Sequence, residues 1–174
     1  MSERLTTPIT DSSAWYGPAM MQSDDWIIRL SATEIAELEQ AAAAVLSRGL
    51  APLEVSREDF ALPTLGPKLA ALVDELEDGR GFALLKGLPV DRYDEPTLHT
   101  LYWGIGTHLG QMISQNAKGE LLARVEDTGA DFAAKNARGY RTSAGLHPHN
   151  DSADLVGLLC VRQAAEGGLS SFTS

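Results

Sequence analysis

The chain has 174 residues, enough for about one domain. Hydrophobic residues make up 44% and charged residues 22%, so a packed core of ordinary globular composition is expected. Fourteen Lys and Arg stand against 24 Asp and Glu, and the net charge of -10 argues against nucleic acid and anionic membrane surfaces, which need basic patches.

Residues 1–25 mix Pro8, Gly17 and Pro18 with several Ser and Thr, which predicts a loosely ordered arm. Trp15, Tyr16 and Trp26 are its natural pins, because large aromatics bury well on irregular backbone. Met1 to Pro8 holds no apolar signal region, and no apolar run approaches the ~18 residues of a membrane span. The expectation is a soluble, cytoplasmic protein.

Ser31-Ala32-Thr33-Glu34 is a capping box, and a helix follows with Ile35, Leu38, Ala42, Val45 and Leu46 as its stripe and Gly49 as its stop. A second helix starts near Thr64, with Leu65, Leu69, Leu72, Val73 and Leu76 on its apolar face, and ends at Gly79. Gly81 to Gly87 reads as a short buried strand between glycines. Asp94-Glu95-Pro96 opens a third helix with the stripe Leu98, Leu101, Tyr102, Ile105 and Leu109, closed by Gly110. Gly104 and Gly106 each weaken that helix by ~1 kcal/mol, which close approach of another backbone would justify.

Beyond Gln111 the signals change to strands and turns. Residues 121–125 predict a strand, 126–129 a turn, and 130–146 a polar loop framing a site. Leu155 to Val161 has the content of a strand buried on both faces, with Cys160, the single cysteine, as a small core side chain. Residues 165–168 form a turn, and another strand starts at Leu169. Helices first and strands second predict an α+β domain with an antiparallel sheet.

Between loop and strand lies His147-Pro148-His149-Asn150-Asp151-Ser152-Ala153-Asp154. Alternate residues of an extended segment share a side, roughly 6–7 Å apart, so His149 and Asp151 can reach one ion. Imidazole and carboxylate suit iron, manganese or zinc. His147 and Asp151 are ~13 Å apart on an extended backbone, too far for one ion without a sharp bend. His99 and His108 fall on opposite faces of one helix and read as surface or packing residues. The residues thus offer two good ligands and no obvious third.

The run from Gly139 to Ser174 carries His149-Asn150-Asp151, Asp154 to Arg162 and Gly167-Gly168-Leu169-Ser170. Together with Gly81 to Pro89 and Gln115 to Gly119, it resembles the taurine dioxygenase-like (TauD/TfdA) family of Fe(II)- and 2-oxoglutarate-dependent oxygenases. The likeness covers roughly residues 80–174. It implies a double-stranded β-helix, or jelly roll, on which the amino-terminal helices pack. It implies that His149 and Asp151 bind Fe(II), that Ser170 meets the carboxylate of the cosubstrate 2-oxoglutarate, and that Asn116 lies near the substrate side. The activity implied is hydroxylation of a small organic substrate, with 2-oxoglutarate oxidised to succinate.

The family also carries a second metal histidine and a 2-oxoglutarate arginine well downstream of the Gly-Gly-x-Ser turn, and no residue here matches either. The expectation is therefore a single, truncated oxygenase domain over 1–174, weak or inactive alone. Two other readings stay open. One is a non-catalytic remnant that pairs its exposed strand edges with other chains, as in a homo-oligomer. The other is a cupin-like metalloprotein using His147, His149 and Asp154.

Overall fold

A computed structural model describes residues 6–116, 118–127, 129 and 145–174. Parts of three expected features, the amino-terminal arm (1–5), the Gln115–Gly119 motif (117) and the loop before the site (130–144), lie outside the described residues, as does Thr128 of the turn. The chain divides into two compact units: Met1–Gln111 with Gly157–Ser174, and Met112–Val156.

The first unit is built on three helices: α2 (Ala32–Ser47), α3 (Gly66–Glu77) and α4 (Glu95–Leu109). A short helix α1 (Gly17–Met20), two three-residue strands, β1 (Ile27–Arg29) and β2 (Leu84–Lys86), and two 3-10 turns at Pro52–Glu54 and Val90–Arg92 complete its regular elements. The caps are the expected ones. Ser31 Oγ accepts the Glu34 N–H, Asp94 Oδ1 accepts the Thr97 N–H, and Gly49 sits at a φ of 69° after α2. That φ is one that side-chain-bearing residues rarely adopt.

α4 packs against both α2 and α3. The core takes Leu38, Ala42 and Val45 from α2, Leu69 and Leu72 from α3, and Leu98, Leu101 and Trp103 from α4. Val55, Phe60, Leu62 and Leu65 fill in from the connection between α2 and α3. Three details differ from the expected stripes. Leu46 is exposed, while Trp103 and His108 are buried on α4. One hydrogen bond from each accompanies this burial, while His108 Nδ1 is buried without a hydrogen-bond partner among the described residues. Trp103 Nε1–H donates to Val55 O at 2.9 Å, and His108 Nε2–H donates to Phe60 O at 2.8 Å. Gly104 does serve a close approach, but to the Phe60 ring rather than to a backbone.

Glu34 is 1% exposed. Its Oε1 lies 2.5 Å from Lys68 Nζ, and its Oε2 accepts the Ser31 N–H and hydroxyl, each at 2.8 Å. Lys68 above all, then the Ser31 groups, lower the Glu34 pKa from 4.5 to about 2. A carboxyl whose folded pKa is depressed stabilises fully above its ordinary value and loses that contribution as pH falls from 4.5 towards 2. Urea midpoints measured down that range should show the loss. Glu34→Gln should cost about 1–3 kcal/mol at pH 7 and flatten the slope. An unchanged slope would reject this role.

The aromatic pins divide. Trp15 Nε1–H donates to Arg80 O at 3.0 Å, and the Trp15 and Trp26 rings lie 5.1 and 5.7 Å from that of Phe82. Tyr16 is exposed and pins nothing.

The strands depart most from expectation. Helices and few strands make the chain α+β, but the sheet is parallel, not antiparallel: Ile27 pairs with Leu84, Ile28 with Leu85 and Arg29 with Lys86. A parallel pair needs a long crossover, and α2 and α3 supply it. Leu84 is exposed, so β2 is not the buried strand expected. Residues 121–125, 155–161 and 169–174 form no strand. Val156 and Val161 are exposed, as is Cys160, and Leu158 is 75% exposed. Leu155 and Leu159 are half-buried, but the described residues leave the rest of the run uncovered. None of the described helices is long and apolar enough to cross a membrane.

Candidate metal centre

His149 and Asp151 belong to the second unit, on an irregular segment at 145–156. Pro8 aside, the relevant proline is Pro148, which favours extended backbone at the residue before it. The geometry of the imidazole is informative. His149 Nδ1 lies 2.8 Å from His147 O. A carbonyl only accepts, so Nδ1 carries a hydrogen, and the neutral ring then has its lone pair on Nε2. A ring N–H given to a backbone carbonyl is one of the contacts that orient metal-binding histidines.

His149 Nε2 faces Asp151 Oδ1 at 4.0 Å, and the two side chains are 56% and 57% exposed. That separation is too long for a hydrogen bond, so neither donor is spent on the other. Donors bound to one ion at about 2.1 Å stand roughly 3 Å apart when adjacent and about 4.2 Å apart when opposite. The observed pair falls inside that span, and exposed side chains can close the difference by rotation. The donor set fits half of a metal site. Among the described residues no group of three or more His, Cys, Asp and Glu is placed to hold an ion. The His147–His149–Asp154 trio of a cupin-like site is therefore not assembled; His147 contributes its carbonyl instead.

Asn116 is occupied with a turn in the same unit. Its Oδ1 accepts the N–H of Lys118 at 2.9 Å and its Nδ2 donates to the Glu120 carboxylate. Gly119, at φ 79°, donates its N–H to Asn116 O at 3.0 Å. Ser170 lies in the first unit, exposed, two residues after Gly168. Gly167 and Gly168 have φ of 71° and 66°, so this turn requires glycines. After it, the Phe172 ring stacks on Phe82 at 5.3 Å and Ser174 Oγ–H donates to Trp15 O at 3.0 Å. His108 is consumed by the helical core, and His99 sits 3.8 Å from Glu95 on the surface of α4.

The sequence reading missed the orienting carbonyl of His147. The signal was present in the His-x-His spacing, since an imidazole two residues on can fold back to the backbone of the first.

Comparison with known proteins gives the family of the chain. The family model for "Taurine catabolism dioxygenase TauD, TfdA family" matches residues 46–174. The chain is 31% identical over 169 residues to FR-33289 synthase of Streptomyces rubellomurinus (strain ATCC 31215), covering 97% of this chain and 50% of that protein. It is 31% identical over 179 residues to the taurine hydroxylase-like protein SAT17 of Stachybotrys chartarum (strain CBS 109288 / IBT 7711), covering 98% of this chain and 46% of that protein. The chain thus spans about half the length of the curated relatives it matches. With a family match over most of its length, the chain belongs to the TauD/TfdA dioxygenase family.

Proposed function

We propose that this chain is the ligand-bearing part of an Fe(II)- and 2-oxoglutarate-dependent dioxygenase that hydroxylates a small organic substrate. The observation that carries the reading is the His149–Asp151 pair, with Nδ1–H held by His147 O and Nε2 turned 4.0 Å from Asp151 Oδ1. His149 Nε2 and Asp151 Oδ1 would hold the ion, and the family resemblance assigns the Ser170 hydroxyl to a carboxylate oxygen of 2-oxoglutarate, to which it could donate. Ferrous iron with 2-oxoglutarate supplies the oxidising chemistry when bound; the chain's part is to fix the ligands and leave coordination positions open. On this reading the second histidine and the arginine of the family come from outside these 174 residues. The jelly roll is completed there too, covering the exposed run from Val156 to Phe172.

That exposed run also favours a second reading, a non-catalytic polypeptide that folds to completion only against other chains. Leu169 is 92% exposed and Leu158 75%, and large exposed apolar surface marks sites of association. One experiment separates the two. Ferrous iron and 2-oxoglutarate, mixed without oxygen, should give a visible charge-transfer band with a full-length version of the gene product and little or none with the 174-residue chain. No band at full length would reject the enzyme and leave the second reading.

A further inference from the structure

The carbonyl that holds His149 belongs to a proline peptide. His147 O, 2.8 Å from Nδ1, is the oxygen of the bond between His147 and Pro148. These residues and Asp151 all lie within Met112–Val156. Residues 145–152 are exposed, so burial does not fix the ring. The restraint has to come from the torsions of the chain itself. The first rotation between that oxygen and the imidazole is φ of residue 148, which turns the whole peptide plane carrying the oxygen. The pyrrolidine ring locks it at about −65°. Proline also lacks an N–H, so this peptide has one polar group to present, and it presents it to the ring.

A neutral imidazole has two tautomers, and a metal takes the nitrogen that bears the lone pair. Here that nitrogen is Nε2, which faces Asp151 Oδ1 at 4.0 Å. We infer that Pro148 is a positioning residue: by holding the His147 carbonyl on Nδ1–H, it selects the tautomer that leaves the Nε2 lone pair free on the Asp151 side before any metal arrives. The inference rests on the reading of His149 and Asp151 as metal ligands. It goes beyond that reading by adding a residue whose side chain has no donor atom.

Pro148→Ala frees φ at 148 and restores an N–H, and Pro148→Gly frees φ further. Two readouts on the purified chain test the consequence. Ring-nitrogen NMR shifts of the metal-free, isotope-labelled chain at about pH 8, where histidine side chains are ordinarily neutral, tell an N–H nitrogen from a lone-pair nitrogen. The parent chain should carry the His149 hydrogen on Nδ1. Pro148→Ala should move part of the population to the Nε2–H form, and Pro148→Gly more. Mn(II) binding should weaken in the same order, by about tenfold in Pro148→Gly, the lower end of the loss when a metal-bound histidine is deprived of its supporting partner. Asn150→Ala, an exposed change on the other side of His149, should move neither readout, and the helical circular-dichroism melt should be the same in all variants. An unchanged tautomer in Pro148→Gly, or an equal change in Asn150→Ala, overturns the inference. If the tautomer follows the pattern but Mn(II) binding is indifferent to His149→Ala and Asp151→Ala, the restraint stands and the metal reading fails. If those two variants lose Mn(II) while Pro148→Gly keeps both tautomer and affinity, the metal reading stands and Pro148 has no positioning role.

Discussion

Replacing Phe60 with Ala should destabilise the helical unit by about 3–5 kcal/mol, a large part of the 5–15 kcal/mol of a typical domain. Phe60 is fully buried between α2 and α3 in sequence and lies on Gly104 of α4 in space. Its ring fills the place a side chain at 104 would occupy, and its carbonyl takes the Nε2–H of His108. Truncation leaves a hole that backbone pinned by this hydrogen bond cannot close freely. The opposite change tests the same contact. A Cβ at 104 would come within 2.5 Å of three ring atoms of Phe60. Gly104→Ala gains about 1 kcal/mol of helix propensity but incurs about 1–3 kcal/mol of overpacking. A net loss is therefore expected, growing with Gly104→Val. Phe60→Leu should relieve part of that loss, so the two substitutions should be non-additive in urea unfolding. A cost below about 1 kcal/mol for Phe60→Ala would show that the ring is not the keystone of the helix packing.

The helices were legible because their signals are local. Ser31 with Glu34, Asp94 ahead of Pro96, and Gly49 each mark an end through a bond or a φ that involves near neighbours. β1 was not legible. Three residues carry no periodicity, and their partner β2 lies beyond two helices. The run 155–161 shows the converse failure. Its composition describes a strand with layers on both faces, but burial belongs to those layers, which the described residues do not contain. In the candidate site, spacing and family resemblance single out His149 and Asp151, and the structure adds their separation of 4.0 Å.

His149→Ala and Asp151→Ala should each weaken Mn(II) binding by about 100-fold, the upper end of what altering a mere supporting partner does. Each removes one of two protein donors, and the remaining one then binds no better than any surface side chain. The 24 Asp and Glu make weak, scattered association with divalent cations a competing background, so the place of binding decides more than its strength. Mn(II) added in small amounts to the isotope-labelled chain broadens amide signals according to their distance from the ion. The predicted result is selective broadening around residues 147–151, lost in both variants. Broadening spread over the acidic helices, with the signals of His149 and Asp151 no more affected than the rest, would contradict a metal site built on this pair.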